Sequence, residues 1–192
     1  MKYFRVIALA RWATCWVLSA LSVASPCRAD VGSDKVVLRG SRESIAISRA
    51  YLGSQPENGV MDVIIKYPEM VPWKLGYELK FEIYLAIANS RVWALRGDSL
   101  VRGAIFESER EGLSHYSRVL GSRSGVLDIF RFIGVDGAIV TAKAIRGRSS
   151  FVVTRGLGDE FSVQYACEVS DVADLKLVDE KIVKFIGMRG GK

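Results

Sequence analysis

The most informative stretch of this chain runs from residue 126 to residue 145 and reads VLDIFRFIGVDGAIVTAKAI. Apolar and polar side chains alternate on both sides of Asp136-Gly137, a pattern typical of two β-strands joined by a tight turn. Asp-Gly favours the type I′ turn, whose two central residues both adopt positive φ. The sequence therefore predicts a β-hairpin formed by residues 126–135 and 138–145.

The same pattern continues on both sides of this hairpin. Glycine-containing segments at 121–125, 146–150 and 156–160 separate short alternating runs, which predicts an antiparallel meander of about five strands over residues 113–168. Residues 126–133 are apolar on nearly both faces, so we place this strand centrally between two packed layers. These features predict an all-β fold, an antiparallel meander forming a β-sandwich, with a small up-and-down barrel as the alternative.

Two further features precede the meander. Residues 77–87 alternate apolar and polar side chains over their whole length and are predicted to form one strand. Asn58-Gly59 predicts a second tight turn, linking a strand at 45–52 to one at 60–67, although Pro56 shortens the first strand's usable pairing.

The C-terminal segment follows a different period. Its apolar residues recur at helical spacing: Val172, Leu175, Val178, Ile182 and Phe185. Ser170 or Asp171 is a candidate N-cap and Gly187 a candidate C-cap, and acidic residues precede basic ones as the helix dipole favours. We therefore predict a C-terminal helix, with two short strands as the alternative.

The N-terminus has the organisation of a secretory signal peptide. Three basic residues up to Arg11 precede an apolar run at 12–24, which is too short as a helix to cross a bilayer core about 30 Å thick. Small residues allow cleavage after Ala24 or, preferably, after Ala29. We expect residues 1–29 to be removed, leaving one mainly β domain at 30–192 that is periplasmic or secreted and does not span the membrane.

Cleavage changes the charge of the chain. The leader carries four of the 27 basic residues and none of the 21 acidic ones, so the mature chain has 23 basic residues and a net charge of +2. The pI of about 9.3 thus belongs largely to the leader. We therefore expect no nucleic-acid partner.

Cysteine usage also depends on the cleavage point. Cys15 leaves with the leader, and cleavage after Ala29 removes Cys27 as well, which leaves Cys167 as a small buried hydrophobic residue. Cleavage after Ala24 would retain Cys27, which could then pair with Cys167 in an oxidising compartment.

Few residues are available for catalysis. His115 is the only histidine, so a zinc site of the usual two or three histidines lacks ligands, and we interpret His115 as a strand residue. The densest carboxylates are Glu107, Glu109 and Glu111, which strand alternation would place on one face. A carboxylate-dependent hydrolase is our least favoured hypothesis, and we predict no catalytic residue, metal or cofactor.

Basic side chains are the best candidates for binding. They recur in the consecutive hairpins: Arg118, Arg123, Arg131, Lys143, Arg146, Arg148 and Arg155. Arg123, Arg146 and Arg148 lie in predicted turns that could converge on an anionic partner, although charges also protect strand edges from pairing. Trp73 is a candidate aromatic anchor or a cover for the core, and Trp93 is placed in a strand.

Together these observations favour a non-catalytic extracytoplasmic interaction module that binds a protein or an anionic cell-envelope component through its hairpin loops. An accessory, inhibitor or immunity-type protein of a bacterial envelope fits this description. A barrel-type carrier of a small apolar ligand is the alternative, and it requires an internal cavity.

Overall fold

The computed structural model describes residues 34–74, 82–121 and 125–189. The predicted leader and Arg123 lie outside these ranges. The strands are β1 (Lys35–Arg39), β2 (Ser44–Ser48), β3 (Val60–Lys66), β4 (Val71–Pro72), β5 (Glu82–Ala88), β6 (Ile105–Arg110), β7 (Leu113–Val119), β8 (Val126–Ile133), β9 (Ile139–Ile145), β10 (Ser150–Leu157) and β11 (Phe161–Glu168). The helices are α1 (Val92–Val101) and α2 (Asp174–Arg189), and a short 3-10 turn covers Arg49–Tyr51.

Nine strands form one antiparallel sheet in the order β4-β3-β5-β11-β10-β9-β8-β7-β6, and β1 and β2 form a separate hairpin. The strands β7 to β11 neighbour one another in chain order, so the predicted five-strand meander and all-β class are confirmed. The sheet ends at β4 and β6 instead of closing, so the barrel alternative is wrong.

The nine-stranded sheet buries one face, here called the core face. Alternate residues of β3, β5 and β9 to β11 are buried there, including Val63, Leu85, Val140, Val153 and Val163. The β1-β2 hairpin, the 3-10 turn that follows it and α2 supply the opposing apolar layer, in which Tyr51 of the turn packs on Phe185 of α2 with ring centroids 5.0 Å apart. This second layer gives the molecule its sandwich-like form.

Helix α2 confirms the predicted C-terminal helix. Leu175, Val178, Ile182 and Phe185 are buried, as their spacing predicts. The carboxylate of Asp171 accepts the backbone N–H of Ala173 just before the helix begins. Gly187 does not end the helix, which continues to Arg189. No helix in the described part of the chain combines the length and apolar character needed to span a membrane.

Helix α1 corrects the prediction for Trp93, which was placed in a strand. Apolar and polar residues do not alternate around Trp93, which lies in the continuous apolar run 92–95, and Ala94 and Leu95 that follow it are good helix formers. The Ser162 hydroxyl also accepts the Trp93 backbone N–H at 3.4 Å, near the beginning of the helix. The helix lies on β9, β10 and β11 on the face opposite the core, here called the outer face.

The Asn58-Gly59 turn is present, but it joins different partners from those predicted. Both residues have positive φ, and Glu57 and Val60 exchange backbone hydrogen bonds across the turn. Of the predicted strand at 45–52, residues 45–48 belong to β2, but its predicted pairing with the strand at 60–67 is wrong, because β2 pairs with β1 and only Leu52 makes a bridge to β3. Of the predicted strand at 77–87, residues 82–88 form β5, and residues 77–81 lie outside the described ranges.

The central hairpin is confirmed as a pair of antiparallel strands, but its register differs by one residue from that of a two-residue turn, because Ile133 lies opposite Ile139 instead of Val140. Its turn type is wrong: only Gly137 has positive φ, and the Gly137 N–H donates to the Gly134 carbonyl at 2.9 Å. The Asp136 carboxylate accepts the N–H of Ala138 at 3.2 Å, which holds Asp136 in a longer turn of a type common in hairpins.

Candidate functional site

Arg146, a predicted binding residue, is exposed but forms ion pairs with carboxylates of its own chain. Its Nη2 lies 2.7 Å from Asp128 Oδ1 and 3.8 Å from Glu107 Oε1, and its Nε lies 3.0 Å from Asp128 Oδ1. Burial alone would raise the pKa of Asp128, but hydrogen bonds from Arg146 and His115 lower it below its usual value. The guanidinium charge of Arg146 is therefore balanced by carboxylates of its own chain.

The other predicted binding residues are not brought together around Arg146. Arg148 is exposed in the same β9-β10 turn. Trp73 follows β4 at the far edge of the sheet and is half-buried; its buried Nε1 has no hydrogen-bond partner among the described residues. Strands β3, β5 and β11 separate Trp73 from the β9-β10 turn, so these residues do not form one contact surface.

The expectation that three glutamates share one face of β6 is wrong. A β-bulge shifts the register between Phe106 and Ser108. Glu107 accepts a hydrogen bond from Ser117, whereas Glu109 accepts one from Ser114 at 3.4 Å. Because Ser114 and Ser117 are an odd number of residues apart in β7, the two glutamates point to opposite faces.

His115 lies in β7, as expected of a strand residue. Its Nε2 is 3.0 Å from Asp128 Oδ1, and its ring stacks on Phe130 with centroids 4.5 Å apart. The Ser117 hydroxyl is bonded to Glu107 and not to His115. In the described ranges no group of three or more His, Cys, Asp or Glu side chains could hold a metal ion. We interpret this polar cluster as a structural network.

A different site lies where the β8-β9 turn meets α2. An open pocket of about 390 Å³ is lined by Phe132, Ile133, Gly134, Val135, Ala173, Lys176, Leu177 and Glu180. Large apolar side chains are exposed at its margin: Ile133 and Val135 are each 63% exposed, and Leu177 is 48% exposed. We call this the turn–helix pocket. Exposed apolar groups gathered around a concavity are characteristic of binding surfaces.

A buried ionic network connects the two sides of the turn–helix pocket. Arg155, interpreted from the sequence as part of a surface basic cluster, is fully buried. Its guanidinium donates to Asp179 of α2 and to Asp136 of the β8-β9 turn. Its Nε donates to the Gly156 carbonyl at 3.0 Å, and the Tyr165 hydroxyl donates to Asp179 at 3.1 Å. One arginine thus joins the turn to the helix.

Gly134 lies directly over this network. A Cβ at this position would come within 2.9 Å of Asp179 Oδ2 and 3.1 Å of an Arg155 Nη. Any larger residue would push the turn away from the charges beneath it. Because Gly134 has no side chain, the turn can lie close to Arg155 and Asp179 and form one wall of the pocket.

Asp179 gives the network a defined pH dependence. Burial raises the pKa of Asp179 to about 6, against the opposing effects of Arg155 and Tyr165. An unfolded aspartate has a pKa of about 3.9, so the folded state binds this proton more tightly. The stabilising contribution is present below pH 4 and is lost as the pH rises through about 6.

Asp179→Asn removes this titratable group. We therefore predict that the difference in stability between wild type and this variant depends on pH. The free energy of unfolding of wild type minus that of the variant should fall by about 3 kcal/mol between pH 4 and pH 7, measured by urea denaturation. A difference that stays constant with pH would contradict the assignment. Asp174→Asn, a replacement at the start of the same helix, serves as control.

The sequence contained one weak signal for the turn–helix pocket. Ile133 and Val135 flank the predicted turn without an obvious buried partner, and Leu177 lies off the apolar stripe of the helix. Their proximity follows only from the packing of α2 on the sheet.

Comparisons with protein families, curated proteins and solved structures find no match for this chain.

Proposed function

We propose that this protein is a non-catalytic extracytoplasmic interaction module that binds a protein partner at the turn–helix pocket. The observation that carries the proposal is the gathering of exposed Ile133, Val135 and Leu177 around one concavity. An apolar side chain of a partner would fill the pocket and remove these groups from water. The signal-like leader supports export to the periplasm or the exterior.

The margins of the pocket suit protein recognition. Lys176 and Glu180 place one charge of each sign beside the apolar residues, as in the polar rim of an interface. The Arg155 network fixes the turn relative to α2, so little ordering is needed on binding. An accessory, inhibitor or immunity-type role fits a small rigid scaffold of this kind.

The structure lends less support to an anionic partner at the β9-β10 turn. Arg146 is already paired with Asp128 and Glu107, so an external anion would have to compete with both carboxylates. The carrier hypothesis likewise loses its basis in a closed barrel, because the sheet is open and its core positions are filled.

Leu177→Asp is expected to abolish partner binding without unfolding the protein, because the side chain is exposed and a carboxylate would have to be desolvated in the interface. The full chain would be expressed in its native host and purified from the envelope under mild conditions. The yield of a stoichiometric partner should fall at least about tenfold, the equivalent of about 1.4 kcal/mol.

The matched control is Leu95→Asp, which makes the same substitution at an exposed leucine of α1, on the opposite face of the sheet. It should leave recovery of the partner unchanged. Equal loss in both variants, or retention of the partner by Leu177→Asp, would refute the pocket as the binding surface.

A further inference from the structure

Helix α1 is seated unusually closely on the outer face. Gly97 is buried, and a Cβ there would lie 2.7 Å from Thr154 Oγ1 and 3.2 Å from Thr141 Oγ1. Only glycine allows the helix backbone to approach these threonines. The neighbours of Gly97 in the chain, Arg96 and Asp98, are thereby held close to strands β8 and β9.

The register of these strands places two more cations beside α1. Arg131 of β8 lies opposite Thr141 of β9, and Lys143 lies opposite Ile129. Arg131 and Lys143 therefore occupy the same face as diagonal neighbours on adjacent strands. The face is the one on which Gly97 packs, because Thr141 belongs to it.

This cluster has more positive than negative charge. Asp98 Oδ1 lies 2.6 Å from Arg131 Nη2 and is the one carboxylate that pairs with the cluster within the described ranges. The buried Nε of Arg131 has no hydrogen-bond partner there. Lys143 has no ion pair with any described residue, and burial together with the charge of Arg96 lowers its pKa. Three cations are thus balanced by one carboxylate.

We propose that Arg96, Arg131 and Lys143 form a binding site for an oxyanion of the phosphate class. A bound anion would accept hydrogen bonds from the guanidinium of Arg131, whose side chain is 30% exposed beside Asp98, and would offset the repulsion between Arg96 and Lys143. The donors come from a helix and two strands, so they approach from different directions. A tetrahedral group with several acceptor oxygens suits this arrangement better than a planar carboxylate.

The site lies on the outer face, whereas α2 packs on the core face. It therefore does not depend on the proposed function of the turn–helix pocket, and either proposal can fail alone. The phosphate group could belong to a soluble ion or ester, or to a lipid headgroup, because the same donors would bind both.

Isothermal titration calorimetry with inorganic phosphate tests the site, with sodium chloride used to hold the ionic strength constant. We expect saturable one-site binding to the wild-type chain and at least about a tenfold weaker Kd in Arg96→Gln. Arg96 is exposed, so this variant should fold normally. Lys143→Gln should weaken binding similarly, with circular dichroism used to verify its fold.

The control is Arg148→Gln, which removes one exposed positive charge from the β9-β10 turn, outside the proposed site, and should bind phosphate like wild type. Absence of saturable binding by wild type, or equal affinity in wild type and Arg96→Gln, would overturn the proposal. Flotation with phosphatidylglycerol vesicles, against phosphatidylcholine vesicles, distinguishes the sources. Arg96-dependent flotation would indicate a lipid headgroup, and phosphate binding without flotation would indicate a soluble ligand.

Discussion

Arg155→Met is expected to lower the free energy of unfolding by about 3 to 5 kcal/mol at pH 7, as found when one partner of a buried ion pair is removed. Arg155 is the cation that pairs with both Asp179 and Asp136, and Asp179 is almost completely buried. Without the guanidinium, Asp179 would retain the hydrogen bond from Tyr165 but no counter-charge. Urea denaturation followed by circular dichroism measures the loss.

Two further variants separate the charge effect from the loss of packing. The double variant Arg155→Met/Asp179→Asn should recover most of the stability, because replacing both charges removes the uncompensated carboxylate. Arg148→Met, a change at an exposed arginine nearby in sequence, should alter stability by no more than about 0.5 kcal/mol. A single variant as stable as wild type, or a double variant no better than the single, would contradict the role assigned to Arg155.

Leu175→Ala is expected to cost about 2 to 5 kcal/mol, because it leaves a cavity between α2 and the sheet. Leu175 is fully buried and belongs to the same apolar cluster as the strands. If α2 were an appendage added to a self-sufficient sheet, this truncation would have little effect. Chemical denaturation of the full chain distinguishes these cases.

Leu177→Ala provides a matched control, since it makes the same change on the same helix two residues away. Its side chain is 48% exposed, so the expected loss is within about 0.5 kcal/mol. Similar losses in the two variants would mean that α2 is not packed as described. This variant also connects to the binding proposal, because it shortens a side chain that lines the turn–helix pocket.

The local pattern of the chain was sufficient to predict the meander. Alternation between glycine-containing turns predicted strands β7 to β11, and an apolar period of three to four residues predicted α2. These signals are readable because a residue's face depends only on its spacing within one element. The same reasoning placed Cys167 correctly in the buried layer with Tyr165.

Predictions that depended on contacts between distant segments were less successful. The bulge in β6 reversed the expected arrangement of Glu107 and Glu109, since one extra residue changes which face a strand's side chains occupy. Nothing in the sequence indicated that Arg155 is buried. Arg148 lies in the β9-β10 turn and is exposed, whereas Arg155 lies within β10 on the core face, where α2 covers it.

The sequence by itself thus determined the strand class, the central hairpin and the amphipathic C-terminal helix, because these depend on periodicity and turn chemistry over short distances. The tertiary structure alone decided that α2 packs against the β8-β9 turn and that Asp136 and Asp179 both form ion pairs with Arg155. It also decided that Arg96 lies close enough to Lys143 for its charge to lower the pKa of that lysine. The physical reason is that burial and pairing of a charge depend on neighbours remote in the chain, whereas the face on which a side chain lies does not.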